Sequence, residues 1–448
     1  MAQSPESLAQ QMLDAARKAG AEAADAMVVG GTSVSIEVRE GKLEQAERSE
    51  GMDLGLRVLI GTRQANVSIS DSRPDSIAMM AERAVAMAKE APEDEHVGLA
   101  EASQLAQAPN IAALELSDPT AEPAPSMLQD DALSAEEAAQ SVAGVTQVQT
   151  ATGAYSQSSV FLAATNGFAG GYARTSRAIY ATAIAGAGDA MERDYDGDGR
   201  VFQSDLRDAT AIGRSAGERA VARLNARKPE TGAYPVLFDE RVSSSLIGHL
   251  LAASNGAMVA RGSSWLREKL GQQVLPEALS LIEDPLRPRI SGSRPFDAEG
   301  LPTQRRAIVE NGVLTGWTLD LANGRKLGMP STANAARGVS GPPSPSSWNV
   351  ALTQGSQSRD ALLKDMGRGL LVTSLIGSTI NPNTGDYSRG AAGFWIENGV
   401  VSHPVNECTI AGNLHDMLRN LIPANDARGY LSRVVPSLLL EGMTLAGN

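Results

Sequence analysis

Two near copies of one short pattern, Val309-Glu310-Asn311-Gly312-Val313 and Ile396-Glu397-Asn398-Gly399-Val400, constrain the fold of this chain most. Asn-Gly tolerates positive φ at two consecutive positions, and the tight turn it makes matches the twist of the flanking strands, so apolar arms on either side fold back as an antiparallel hairpin. Similar punctuation recurs upstream, where VSIEVREGKLEQAE alternates around Glu40-Gly41 and LGLRVLIGTRQANVSI around Gly61-Thr62. Strands thus come in hairpins rather than alternating with crossover helices, which predicts an α+β protein rich in antiparallel sheet. The two Asn-Gly hairpins are expected to lie in one C-terminal sheet.

At 448 residues the chain outgrows a single hydrophobic core. The first expected unit, residues 1–110, is an N-terminal α/β domain. It opens with a helix capped by Ser4, with Pro5 in its first turn, Leu8, Met12 and Ala16 on one face and Gly20 at its end. The hairpins follow, then a helical pattern from Ser72 to Ala91. Four prolines and weak periodicity between Ala106 and Pro125 predict an extended connection and a boundary. Residues 111–228 form the linker and a β-rich central domain, with helices near Ser134–Ala143 and Asp208–Leu224. Residues 229–448 form a C-terminal mixed domain carrying a helix around His249.

Composition removes several function classes. A net charge of −13 argues against nucleic acid as the main ligand, since that binding needs clustered Lys and Arg. No apolar run reaches a membrane span, and 42% hydrophobic with 20% charged residues is ordinary for a globular protein. The N-terminus has neither a basic segment nor an apolar one, so it does not read as a secretory signal. A single cysteine, Cys408, precludes a disulfide framework and fits a reducing compartment. The expected location is the cytoplasm.

Three local patterns carry possible chemistry. Asp194-x-Asp196-x-Asp198-Gly199, with Asp205 closing, matches the spacing of an EF-hand calcium loop, although Asp205 is shorter than the usual Glu and no clean helix enters. The competing reading is an acidic strand-to-turn connection. Ser245 and His249 stand four apart on a helix, as an activated nucleophile would, but no nucleophile elbow, orienting acid or oxyanion hole accompanies them. In Thr384–Trp395, small residues leave the backbone open to another chain, which would add as a strand. Asp386, Tyr387, Ser388, Arg389, Gly390 and Gly393 are the candidate peptide-binding residues, with Arg389 or Tyr387 holding a carbonyl or carboxylate. The alternative there is a tight loop leading into a core strand.

The segments EVREGKLEQAERSEGMDLGLRVLIGTRQ, MERDYDGDGRVFQSDLRDATAIGRSAGERAVARLNARK, SSSLIGHLLAASNGAMVARGSSWLREKL, SRPFDAEGLPTQRRAIVENGVLTGWTLDL and TGDYSRGAAGFWIENGVVSHPV, then CTIAGNL, resemble the TldD/PmbA metalloprotease family in order and over nearly the whole chain, specifically its PmbA (TldE) branch. The resemblance implies the three-domain TldD/PmbA-type fold. It also implies that in the TldD branch a helical His-Glu-x-x-x-His motif and a C-terminal cysteine hold zinc, with the glutamate as general base. Those helix positions fall here on Ser244, Ser245 and His249, and the C-terminal segment LSRVVPSLLLEG has no thiol. Neutral hydroxyls are poor zinc ligands beside thiolate, imidazole or carboxylate, so no catalytic residue and no cofactor is expected in this chain, and zinc is expected in a TldD-like partner. By this likeness the chain is the non-catalytic subunit of a heteromeric protease acting on unfolded or flexible peptides, such as peptide-antibiotic precursors and antitoxin-like proteins, and a homodimer when alone. The alternatives are a metallopeptidase with relocated ligands and a peptide-binding regulatory protein without a catalytic partner.

Overall fold

The computed structural model describes residues 3–447; Met1, Ala2 and Asn448 lie outside the described residues. Helix α1 (Pro5–Ala19) forms as the sequence predicts: Ser4 Oγ accepts from Ser7 N at 3.2 Å, and Gly20, at φ 102°, ends the helix. Strands β1 (Ala23–Arg39) and β2 (Lys42–Ile60) turn at Glu40-Gly41, where φ is 52° and 70°. After β3 (Arg63–Ile69) comes α2 (Pro74–Glu90). Beyond the proline-rich connection lie α3 (Pro125–Gln140), β4 (Val145–Ala164), β5 (Ala169–Ala185), β6 (Glu192–Arg200) and α4 (Ala209–Ala222). The sequence reading started α3 near Ser134 and counted Pro125 as linker. Proline suits the first turn of a helix, where its missing N–H costs nothing.

These six strands make one antiparallel sheet in the order β3-β2-β1-β4-β5-β6. The join across the connection is the β1–β4 ladder, from Asp25↔Ala164 to Val38↔Ala151. Side chains alternate between the faces of a strand, and β1 uses both faces. Ala24, Ala26 and Val28 pack under α1 and α2, and Val34, Ile36 and Val38 under α3. Met27 and Val29 point the other way, toward Phe296, Leu321 and Ala333 of the C-terminal region. The sheet is therefore the middle layer, with helices on one face and the C-terminal region on the other. Gly213 of α4 is needed for the helix layer, because a Cβ there would stand 1.9 Å from Ala135 O of α3.

The C-terminal region contains β7 (Gly232–Phe238), α5 (Glu240–Ala253), β8 (Gly369–Ile380), β9 (Asp386–Glu397), β10 (Val400–Asn413) and β11 (Leu438–Ala446). The strands run in the order β10-β9-β8-β7-β11, with Ile422–Pro423 beyond β11, and a second pairing, Thr409↔Ala446 to Ala411↔Thr444, joins β10 to β11. A separate five-stranded sheet contains Leu281–Glu283, Arg306–Glu310 and Val350–Leu352. Leu246 and Leu250 of α5 and Val236, Leu370 and Val372 are fully buried in the core between them, each large aliphatic side chain contributing roughly 1.5–3 kcal/mol. Both Asn-Gly turns form, with φ 49° and 78° at Asn311-Gly312 and 54° and 75° at Asn398-Gly399. They do not share a sheet, however: the first belongs to the five-stranded sheet and the second to the β9–β10 hairpin. A turn sequence fixes only its own two arms; which sheet they join is decided by distant partners.

Candidate functional site

Helix α5 starts where Asp239 accepts from Arg241 N at 3.2 Å. Its first turns border a cavity of about 810 Å³ between the β6 end of the first sheet and strands β8 and β9. Ser244, Ser245, Thr373, Ile376 and Arg389 form one side, and Glu192, Arg193, Asp194 and Tyr195 the other, with Arg223 and Arg241 also in the wall. Four arginines thus face two carboxylates. Asp194 binds Arg241 at 3.1 Å and Arg223 at 3.7 Å, and Glu192 binds Arg223 at 3.2 Å. Arg193 and Arg389 form no ion pair among the described residues, and Arg389 Nε donates to Gly377 O at 2.7 Å.

Ser243 and Ser245 are not arranged as ligands or nucleophiles. Ser245 Oγ donates to Val242 O at 2.6 Å and Ser243 Oγ to Glu240 O at 3.4 Å, the usual turn of a mid-helix hydroxyl onto its own backbone. The Ser245–His249 pairing considered from sequence does not form. The His249 ring instead meets Tyr387 edge-on, centroids 5.8 Å apart. Among the described residues, His249 Nε2, the Tyr387 hydroxyl and Thr373 Oγ1 are buried without a hydrogen-bond partner. Burial and the nearby Arg389 charge hold the His249 pKa below its ordinary value, so the ring is neutral near pH 7. Burial pushes the Tyr387 hydroxyl up to about 12, against the pull of Arg389.

These residues do not fit a zinc ion. One neutral imidazole stands among neutral hydroxyls, which are poor zinc ligands, and no group of three or more His, Cys, Asp or Glu converges anywhere among the described residues. Cys408 is buried, donates to Ala391 O at 3.2 Å, and is held as the thiol by burial, its pKa pushed up to about 11. The calcium-loop reading fails on geometry. Asp194, Asp196 and Asp198 lie at alternate positions along strand β6, not around a loop, and each is matched to guanidinium groups. Asp196 takes Arg207 at 2.8 Å and Arg219 at 3.0 Å, Asp198 takes Arg200 at 2.9 Å, and Asp205 turns away to Arg289 at 3.3 Å.

The candidate peptide-binding segment is corrected in a similar way. Strand β9 is central, paired with β8 on one side and β10 on the other, so no chain can add along it. Asp386 accepts from Thr384 Oγ1 at 2.6 Å and Asn413 Nδ2 at 3.0 Å in a turn, and Ser388 sits within both ladders. Gly393 admits the neighbouring strand, since a Cβ there would lie 1.9 Å from Leu371 O; Gly390 is looser, 3.3 Å from Ile376 O. Of the six residues only Arg389 reaches the cavity. The available edge is on β8. Its pairing with β7 ends at Val372↔Phe238, and among the described residues nothing pairs that side of Thr373–Ile380, where Ile376 is 67% exposed. The sequence held a signal for this, an apolar strand outlasting its partner, but it cannot be read without knowing that β7 is the partner.

Family models for PmbA/TldA metallopeptidases match domain 1 over residues 24–88, the central domain over 114–224 and the C-terminal domain over 231–447. The chain is 37% identical to metalloprotease PmbA of Escherichia coli O157:H7, covering 93% of this chain and 90% of the relative. It is also 37% identical to the metalloprotease PmbA homolog of Haemophilus influenzae, over 97% and 94%. The crystal structure of TldE from Thermococcus kodakarensis superposes with a TM-score of 0.84 over 98% of this chain and all of that one; at 22% identity, this shows a common fold. Three domain models matched in order over most of the chain, with 37% identity to PmbA proteins over nearly its whole length, establish that the chain belongs to the PmbA/TldD metallopeptidase family, on its PmbA (TldE) side.

Proposed function

We propose that this chain is the PmbA/TldE-like subunit of a TldD–TldE metalloprotease, in which it binds extended polypeptide while the zinc and the hydrolysis belong to a TldD-like partner. What supports this reading is the meeting of two features in one cavity: Ser244 and Ser245 of α5, where the resemblance puts the motif's ligand positions, and an unpaired strand edge beside them. An extended peptide adding to Thr373–Ile380 would take up main-chain hydrogen bonds independent of sequence, which suits unfolded or flexible substrates. Arg389, at the wall, holds a substrate carbonyl or carboxylate. The units 1–110, 111–228 and 229–448 then act as cover, linker with central sheet, and peptide platform. The complex is placed in the cytoplasm, without nucleic acid or membrane as ligand, and the isolated chain pairs with itself. Among the described residues no helix is long and apolar enough to cross a membrane.

The test is zinc content and peptidase activity of the purified chain, alone and mixed with the TldD-like protein of the same cells. The expected result is no bound zinc and no cleavage alone, with cleavage in the mixture weakened by Arg389→Ala. About one tightly held zinc per chain, with activity lost in His249→Ala, would assign catalysis to this chain and overturn the reading.

A further inference from the structure

A second cavity, of about 350 Å³, lies between the first sheet's other face and the C-terminal region, and shares no lining residue with the first. Met27 and Val29 of β1, Val160 and Leu162 of β4, and Phe296 give it an apolar floor. Tyr172 packs edge-on against Phe296, centroids 5.5 Å apart. Against this floor stand three guanidinium groups, those of Arg174, Arg294 and Arg337.

Their hydrogen-bonding capacity is incompletely met. The Arg337 side chain is 2% exposed and pairs with Asp25, which Arg57 Nε also takes at 2.6 Å, while buried Glu299 lies close enough to act on both cations without, among the described residues, a hydrogen bond to either. Among the described residues Arg337 Nε and Nη2 have no partner, and neither does Arg294 Nε. Arg294 stacks on Trp348, 3.7 Å from the ring centroid, and no carboxylate pairs with it among the described residues. Among the described residues Arg174 donates only to the carbonyls of Ser291 and Ser293. The one acid in the wall, Asp297, has its oxygens turned to the backbone N–H groups of Glu299, Leu301 and Ala335. Burying guanidinium groups without acceptors is costly, and native proteins rarely leave such donors unmet.

We infer that this cavity is a binding site for a small carboxylate with an apolar body, its head taken by Arg294 and Arg337 and its body lying on Met27, Val29, Val160 and Leu162. A carboxylate matches the planar guanidinium fork, and the volume falls within the roughly 300–1,000 Å³ of small-molecule pockets. Free phosphate suits it less, because its outward oxygens would face hydrocarbon. A neutral ligand of the same shape offers the guanidinium donors weaker acceptors.

Isothermal titration of the full chain with hexanoate and with hydrocinnamate tests this, alongside the matching primary amides and inorganic phosphate. The expected result is saturable binding of the acids, with the amides weaker by about tenfold or more. Arg294→Gln removes the preference for acid over amide, and Val160→Trp, which fills the floor, blocks both. Thermal unfolding of each variant shows whether it is folded, and Arg294→Gln leaves the Asp25 pairs in place. Equal binding of amide and acid, phosphate binding as tightly as the acids, unchanged affinity in both folded variants, or no binding by any probe would each overturn the inference.

Discussion

The two cavities share the first sheet as a wall and use different parts of it. One lies at the sheet's β6 end, where backbone is exposed along β8 and the wall is polar. The other lies on the sheet's face, where only side chains are presented and the floor is apolar. An edge offers repeating N–H and C=O groups and so suits a polymer in any sequence; a face offers a fixed set of side chains and so suits one discrete molecule. The difference also sets what holds each together. The face cavity depends on a buried charge cluster, the edge cavity on an ion-pair cluster across its wall together with close strand packing.

The largest effect is expected on the face. Asp25→Leu strands Arg57 and Arg337, both nearly inaccessible, and lowers stability by about 3–5 kcal/mol in urea unfolding. A loss no larger than that of an ordinary surface change would break the claim that charge organises this side. Next comes the edge, where Gly393→Ala forces a Cβ against Leu371 O and costs about 1–3 kcal/mol. Gly390→Ala, with more room, costs clearly less in the same assay. Asp297 sharpens the contrast through pH. Burial raises its carboxyl to about 6 and that of the adjacent Glu299 further still, both above their unfolded values, so the pair's contribution is fully present below pH ~4 and is lost as pH rises through the folded values. Stability measured across that window falls with pH, and Asp297→Asn removes that part of the slope. The smallest effect is at His249, where His249→Phe changes stability by less than about 1 kcal/mol because no hydrogen bond of Nε2 is lost. A large loss there would give the histidine a role that its surroundings do not show.

Much of the local structure was legible because local chemistry decides it. Ser4, Pro5 and Gly20 frame α1, and Glu40-Gly41 and the two Asn-Gly pairs turn where their φ preferences require. What escaped depends on partners far along the chain. The β1–β4 ladder, which fuses strands from both sides of a proline-rich connection, has no local signature. Alternate aspartates from Asp194 to Asp198 fit a calcium loop and one face of a strand equally well; the answer lay in Arg207, Arg219 and Arg241 on other elements. Glycine and alanine in β9 signalled a close approach, but not that neighbouring strands were making it. The helix carrying Ser244, Ser245 and His249 was legible as a helix. The cavity beside it was not, since β6, β8 and α5 meet only in the folded chain.

The pairing of β11 with both β7 and β10 has a kinetic consequence. During synthesis β7 emerges early in the C-terminal region and must wait, one side exposed, until β11 clears the ribosome. For that interval the nascent chain carries two hydrogen-bonding edges of the kind that recruits stray strands, so chaperone cover should be needed late in translation rather than early.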